Sequence, residues 1–594
     1  MRQIEHLLLI RSEFDQIPTN EVVRISIKEL AGVLCSSTRN VNYLLKKMHE
    51  DKQIKWSPGK GRGHVSSLIF CYSFSELTQM YLKTMVEAQN IEDLINFIEG
   101  TTLSVKNKQV IYNYLHKELG PKIERTYSGF NSVLRMLLPQ KIQTLDPIHA
   151  LLYSEAHLVS HLYNTLVHFN STDAKIEPCL AYAWKENKEG KEWTFYLRKS
   201  VQFHNNEELT AQDVKYTFCR IIKVEKDTAI YPLLSDIDEI EITDDYTVTF
   251  HLKHSNYFFP RILSSFHCSI LNHTDTDLKK PNGTGPFKVS ELTENFISLS
   301  AFDHYFKERA LIDRIDIWMS NLIDPHVMQA TKLNIQSINQ PEMKISYHYL
   351  LLGSRLITFN QNQKTFDKYF KLALINLFSP KKIVQELNGN RSLPSSSFLP
   401  SKSNSDPFAT ITVDEIKHIL SKSMYAGEMI NLYYFDLNEG LESAEWLKKQ
   451  AEKVGINMSL HPIPKHKPND NNVVQEADIL LLSIILSEDV ELSLYTIFKS
   501  QNSFLREYLP KKAKKYIDEQ LKIFQEKKAK NGLVELINIE NFLKEELLIH
   551  FLYHAKNKLD YPLFLKGIEI NSYGLTNFNQ LWVDPDSETI ISSN

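Results

Sequence analysis

Cysteine is scarce in these 594 residues. There are five, at positions 35, 71, 179, 219 and 268, far apart and with no CxxC pair. That usage suits reduced, mostly buried thiols in a reducing compartment. Long apolar runs are missing too. The most apolar run, Ile479 to Leu486, is eight residues long with a serine inside it. A membrane helix needs roughly 18–20, so the run predicts a buried strand. The first apolar run, Leu7 to Ile10, is followed by Arg11 and Glu13 and by no small-residue cleavage site. No export signal is read there, and a soluble, cytoplasmic chain with no membrane partner is expected. Neither sign of charge dominates: 68 Lys/Arg face 72 Asp/Glu, a net charge of −4. Catalytic signatures are also absent. No GxSxG, HExxH or GxxxxGK[ST] occurs, so no enzyme and no cofactor is expected. His550 and His554 are spaced i, i+4, but LLIHFLYHA reads as a strand. There the two rings would lie roughly 13 Å apart, which is no metal site.

What is present is ordinary in bulk, with 42% apolar and 24% charged residues. The length implies two to four domains. The first 75 residues carry eleven Lys/Arg against seven Asp/Glu, which makes the front the polyanion-facing end. Its pattern is specific. Leu7, Leu8, Ile10, Arg11 and Phe14 mark a short helix, and VVRISI a strand. Ile27, Leu30, Ala31 and Leu34 repeat at helical spacing behind a Ser26 cap. CSS breaks the chain, and a second helix follows from Thr38 with Val41, Leu44, Leu45 and Met48 inward. Helix, short turn, helix is helix-turn-helix spacing. Ser37, Thr38, Arg39, Asn40, Asn42, Tyr43, Lys46 and Lys47 are the candidate DNA contacts. Arg and Asn match base edges, and Lys and Ser match phosphates. IKWSPGKGRGHVSSLIF then predicts two paired strands with a basic turn, placing Lys60 and Arg62 in a wing. Helical hairpins of this spacing also occur in cores, and a GKGRG turn can be merely solvated; the two together, in order, favour DNA.

Residues 76–118 predict further helices, either an extension of the DNA module or a coupling segment. Gly120-Pro121 and TYSGFN mark a linker over 119–131. From 132 strands and helices alternate, an α/β texture. Thr210 with Asp213 is a helix-start signature. His204 reads as a packing residue, and GTGPF as a tight connection with Gly283 and Gly285.

Pro178-Cys-Leu-Ala, Trp184 and WTFYLRKSVQFHNNEELTAQDVKYTF resemble the signature of family 5 solute-binding proteins, the peptide, nickel and sugar receptors of ABC importers. GTGPFKV at 283–289 and the Tyr305 region, FN at 359–360, AEWLKKQAEKVGINMSL at 444–460 and the late GIEINSYGLTNFNQLW follow in order. The resemblance spans about 132–582. A winged helix ahead of such a receptor, with GRGHVSSLIF in its wing, is similar to SgrR-type transcriptional regulators. The resemblance implies a multidomain α/β protein: a winged helix (1–75), a helical extension (76–118), the linker, a two-lobed receptor of the periplasmic-binding type (132–582) and a tail (583–594). Its partners would be operator DNA and a small solute of the sugar, sugar phosphate or peptide class. By family position, the cleft would be lined by Tyr153, Glu155, His157, Ser487, Glu488 and Asp489. Peptide receptors carry an acid where Ser487 falls and an aromatic where Ile484 and Ile485 stand, so peptide specificity does not carry over. Glu488 and Asp489 read equally as an exposed turn. The competing function is a solute-binding protein of the cytosol whose front module serves protein contacts.

Overall fold

Local capping sets the helices of the front module. The Ser26 hydroxyl accepts from Glu29 N–H at 3.2 Å, and the Glu29 carboxylate accepts from Ser26 N–H at 2.8 Å, which starts α2 (Ile27–Val33). Cys35 takes a left-handed φ of 45° at the break. Ser37 then caps α3 (Thr38–Glu50). With α1 (Gln3–Glu13), these helices pack against a three-stranded antiparallel sheet. Its strands are β1 (Val22–Ile25), β2 (Ile54–Ser57) and β3 (Ser66–Phe70) in the order β1-β3-β2. Ile54 faces Phe70 and Trp56 faces Leu68, the pairing expected of a wing. This computed structural model describes residues 2–584 apart from 60–64, 89, 119, 127–128, 139, 188, 224–225, 227, 276, 278, 321–343, 362–365, 404–410, 436–437, 464–475, 501–503 and 529–531. The wing tip with Lys60 and Arg62 therefore lies outside the described residues.

The expected division at residue 75 is corrected by the packing. A Ser73–Glu76 capping box starts α4 (Phe74–Glu87), so the division would cut its first turn. Leu77, Tyr81, Leu82 and Met85 of α4 share one core with Leu8, Leu30, Val41, Leu45 and Leu68. The helices α5 (Ile91–Glu99) and α6 (Val105–Glu118) add Leu94, Ile95, Ile111 and Leu115 to it. The winged helix and the helical extension are one packing unit.

The expected linker is also corrected. Residues 120–126 form β4 (Gly120–Thr126), which pairs antiparallel with β5 (Gly129–Leu138) along its whole length. Gly120 and Pro121 open this edge strand, where a proline is tolerated. The strand β5 continues into the sheet of the first lobe, in the order Phe287–Leu292, Phe296–Ala301, Arg314–Met319, β5, β4. A four-stranded antiparallel sheet built from 181–252 attaches beside it. The second lobe carries a mixed seven-stranded sheet, with Ile479–Ile485 in its interior as its apolar run predicted. The long strand Ile549–Pro562 pairs with Gly353–Phe359 at one end and Lys344–Leu350 at the other. Beyond it the chain returns to the first lobe, where Phe564, Leu565, Phe578 and Leu581 join the core around Leu134 and Leu162.

Two motifs settle into structural roles. Thr210 and Asp213 form the expected cap, N–H to carboxylate at 2.7 Å, ahead of the helix Ala211–Lys223. Gly283 and Gly285 are needed for close approach. A Cβ on Gly283 would lie 2.0 Å from Leu162 O, and one on Gly285 2.3 Å from His161 O. His204 is a packing residue: its Nδ1 accepts from Gly283 N–H at 3.2 Å, and its ring meets Phe302 edge-on. All five cysteines are free, two of them buried, and Cys35 is exposed, against the expectation of mostly buried thiols. No described helix is long and apolar enough to cross a membrane.

Candidate functional site

The helix α3 is two-faced. Val41, Leu45 and Met48 are fully buried, and Leu44 is half-buried. Ser37, Thr38, Arg39, Asn40, Asn42, Tyr43, Lys46 and Lys47 are all exposed. The apolar repeat turns one stripe inward, so the remaining positions face solvent. Two of them have local duties as well. The Ser37 hydroxyl accepts from Asn40 N–H at 3.3 Å, and Asn40 Nδ2 donates to Ser36 at 2.9 Å. Lys46 lies 3.8 Å from Glu50, a solvated pair of little energy. Tyr43 is 64% exposed, a large ring without a packing partner in the core.

The second candidate is the crevice between the lobes. Tyr153, at the start of helix α7 (Tyr153–Leu162) of the first lobe, meets the Ile485 backbone of the second, and Ser572 meets Glu488. Tyr153 stacks on Tyr573 with ring centroids 4.4 Å apart. Tyr153 is exposed to water, yet burial among protein atoms pushes its phenol upward, opposed by Arg355 and a hydrogen bond from the Ile485 backbone. Tyr573 is pushed up in the same way by burial and by Tyr153 and Glu488, with Ser487 bonding back. The Ser572 N–H donates to the Glu488 carboxylate. The Ser487 hydroxyl is shared with Ser493 at 2.7 Å.

The remaining expected ligands are corrected. Glu155 is buried at 1% exposure. One of its oxygens accepts from Gln143 and Thr144 N–H, the other from Leu151 and Leu152 N–H. A carboxylate with four backbone donors has no valence left for a solute. His157 points into the first lobe, edge-on to His161 at 4.6 Å and Phe578 at 4.7 Å. Burial lowers it to about 4, and its Nε2 has no partner. Asp489 is neither in the crevice nor an exposed turn. It caps the helix Val490–Lys499 and takes Arg261 Nε at 2.8–2.9 Å. Burial raises its carboxyl, and Arg261 opposes that rise. Arg261 also binds Glu491 at 2.6 Å and lies over the Phe169 ring at 4.4 Å.

Tyr573, Ser572 and Arg261 were not anticipated. Tyr573 carried a signal: it is the aromatic within the late NSYGLTN motif. Arg261 carried none, since its partner lies 228 residues away. Among the described residues no group of three or more His, Cys, Asp or Glu could hold a metal ion. His550 and His554 instead lie on the strand Ile549–Pro562 and meet the backbone carbonyls of Phe378 and Gly353.

Comparison with known proteins places both halves. Residues 12–120 match the N-terminal domain of the sugar transport-related sRNA regulator. Residues 175–505, more than half of the chain, match the bacterial extracellular solute-binding proteins, family 5. The HTH-type transcriptional regulator SgrR of Yersinia enterocolitica is 25% identical over 592 residues, 98% of each chain. The uncharacterized protein YhjP of Bacillus subtilis (strain 168) is 29% identical over 522 residues, 86% of this chain and 87% of the relative. Two solved structures share the receptor fold, each covering 76% of this chain. One is the periplasmic binding protein DppA from Helicobacter pylori with peptide STSA, at TM-score 0.64, 17% identity and 98% of its length. The other is NikZ from Campylobacter jejuni with Ni(L-His), at TM-score 0.62, 17% identity and 99% of its length. The chain thus belongs to the family 5 bacterial solute-binding proteins, joined at its front to an SgrR-type N-terminal module.

Proposed function

We propose that this protein is a transcriptional regulator of the cytoplasm. It reads double-stranded DNA with α3 and the wing, and it senses a small solute in the crevice of its receptor. The observation that carries the reading is α3 itself. Its apolar stripe is spent on the core, and its outward positions hold the residue types that pair with base edges and phosphates. Arg39 and Asn42 are assigned to bases, and Lys46, Lys47, Lys60 and Arg62 to phosphates. The likeness to SgrR over the whole chain supports the same arrangement.

Tyr153, Tyr573, Ser487 and Glu488 are the groups a solute would meet. Aromatic faces beside hydroxyls and one carboxylate favour a hydroxyl-rich or cationic solute and disfavour an anionic one. A retardation assay of the full chain on its own upstream DNA, with and without solute, tests the reading. Candidate solutes come from a thermal-shift screen of sugars, sugar phosphates and short peptides. A solute at about one hundred times its dissociation constant stabilises the receptor by roughly 2.7 kcal/mol. Specific, salt-dependent retention that changes with solute supports the regulator. Solute binding without specific retention would make the protein a solute-binding protein whose front module contacts other proteins.

A further inference from the structure

The front module is seated on the receptor through a definite set of residues, and that set leads to the crevice. Leu137, Trp318 and Phe296 stand side by side on three adjacent strands of the first-lobe sheet, Trp318 in register with both neighbours. All three are buried in the core of the front module. One residue along, Met136, Ile317 and Ile297 face the core of the lobe instead. The sheet is therefore shared: one face belongs to α7 and the receptor core, the other to α5 and the module. Phe296 and Trp318 are 5.2 Å apart, an apolar pivot for α5.

Beside that pivot lies a polar contact of a different kind. Glu92, in the first turn of α5, pairs with Lys141 at 3.2 Å and accepts from Asn295 Nδ2. Lys141 also pairs with Glu294 at 2.7 Å. From Lys141 the segment 140–145 is fastened to α7. Gln140 Nε2 donates to Ser154 at 2.7 Å, and Gln143 and Thr144 donate to Glu155. The next residue of α7 outward is Tyr153, stacked on Tyr573, whose neighbour Ser572 is held by Glu488 of the second lobe.

We propose that segment 140–145 is the relay by which the crevice reseats α5 and, with it, the DNA-reading module. The proposal rests on the regulator reading and names its internal coupling. Glu155 makes the segment and α7 one body, because its carboxylate, borne on α7, accepts from the backbone of Gln143 and Thr144 in the segment and of Leu151 and Leu152 just before the helix. A shift of α7 as the lobes part or close therefore carries Lys141 with it. The apolar row of Leu137, Trp318 and Phe296 resists sliding, since close-packed side chains lose contact with small displacements. The half-buried ion pair gives way at far lower cost. The result is a tilt of α5 about the row.

Hydrogen–deuterium exchange on the full chain makes that measurement with neither DNA nor solute. Tyr573→Ala removes the crevice stack. The expected result is severalfold faster exchange of the α5 amides, and loss of that response in a Lys141→Met background. Glu488→Gln, which weakens only the Ser572 contact, serves as the same arm should Tyr573→Ala not fold. Unchanged α5 protection in the crevice variants, or an equal response with Lys141→Met, overturns the relay. A chain that failed to bind DNA would remove the regulator reading and leave this result standing, so the two failures are distinguishable.

Discussion

The front module and the receptor dispose of their polar side chains in opposite ways. On α3 the candidate contacts face outward into water; Ser37 and Asn40 bond locally, and Lys46 forms a solvated pair with Glu50. In the receptor each expected acidic ligand holds a partner within the protein, and Glu155 and Asp489 are consumed by theirs. Glu155 holds four backbone donors, Asp489 holds Arg261, and Glu488 holds Ser572. A surface that meets a polyanion from solvent keeps its groups hydrated until the partner arrives. Two lobes that close on each other bury polar groups, and buried polar groups must find partners within the chain. Chemically similar residues thus stay in solvent in one region and are structural ties in the other.

Acid should separate the two regions most strongly. His157, His204, His267 and His550 are each lowered to about 4 by burial. In the front module His6 and His49 are not buried. A folded value below the ordinary imidazole value near 6.5 means the unfolded chain binds the extra proton across pH 4–6.5. Receptor stability is therefore full above that window and falls as pH falls through it. The loss between pH 7 and 5 is roughly 2 kcal/mol for each ring. Calorimetry at the two pH values should show the receptor transition moving down while the module keeps its own. A receptor transition indifferent to pH contradicts the burial of these rings.

The next contrast lies within the receptor. Glu155→Ala orphans four backbone donors and should cost about 3–5 kcal/mol in urea unfolding, since each unsatisfied buried group costs about 1–3 kcal/mol. Asp489→Ala leaves Arg261 with Glu491 alone and should cost about 3 kcal/mol. Glu488→Ala should cost under about 1 kcal/mol and instead alter solute binding. Wild-type stability of Glu155→Ala, with weakened solute binding, would return that residue to the crevice.

On α3 the pattern inverts. Arg39→Ala and Asn42→Ala should each weaken specific DNA binding by about 1–3 kcal/mol. Their folding stability should stay within about 0.5 kcal/mol of wild type. Smallest of all, Lys47→Ala should reduce the slope of affinity against salt by about one unit for any DNA sequence. Variants of α3 that unfold the module without touching DNA affinity would erase the contrast.

Legibility followed the range of the interactions. The caps at Ser26 and Thr210, the buried stripe of α3, the Ile54–Phe70 pairing and the interior strand Ile479–Ile485 all rest on neighbours or on a repeat, so the sequence displays them. In HALLYSEAHLVSHLYNTLVHF the helix spans only Tyr153–Leu162, because Glu155 takes the N–H groups just before it and Val167–Asn170 pairs as a strand. The composition of 119–131 resembles a linker for a similar reason. Gly and Pro mark irregular backbone, and an edge strand shares that composition. The family positions of the crevice were found in part: Tyr153, Ser487 and Glu488 come together, while Glu155, His157 and Asp489 turn inward.

By itself, then, the sequence determined the order of modules, the two-faced α3 and the α/β receptor, because periodicity and capping act over a few residues. Tertiary structure alone decided that the winged helix and its extension share one core, and that Arg261 ties the receptor across 228 residues. It alone decided that Tyr573 covers Tyr153 in the crevice. Each depends on which groups close packing brings together and on which buried charges must then be paired, and neither condition is written in any local stretch of the chain.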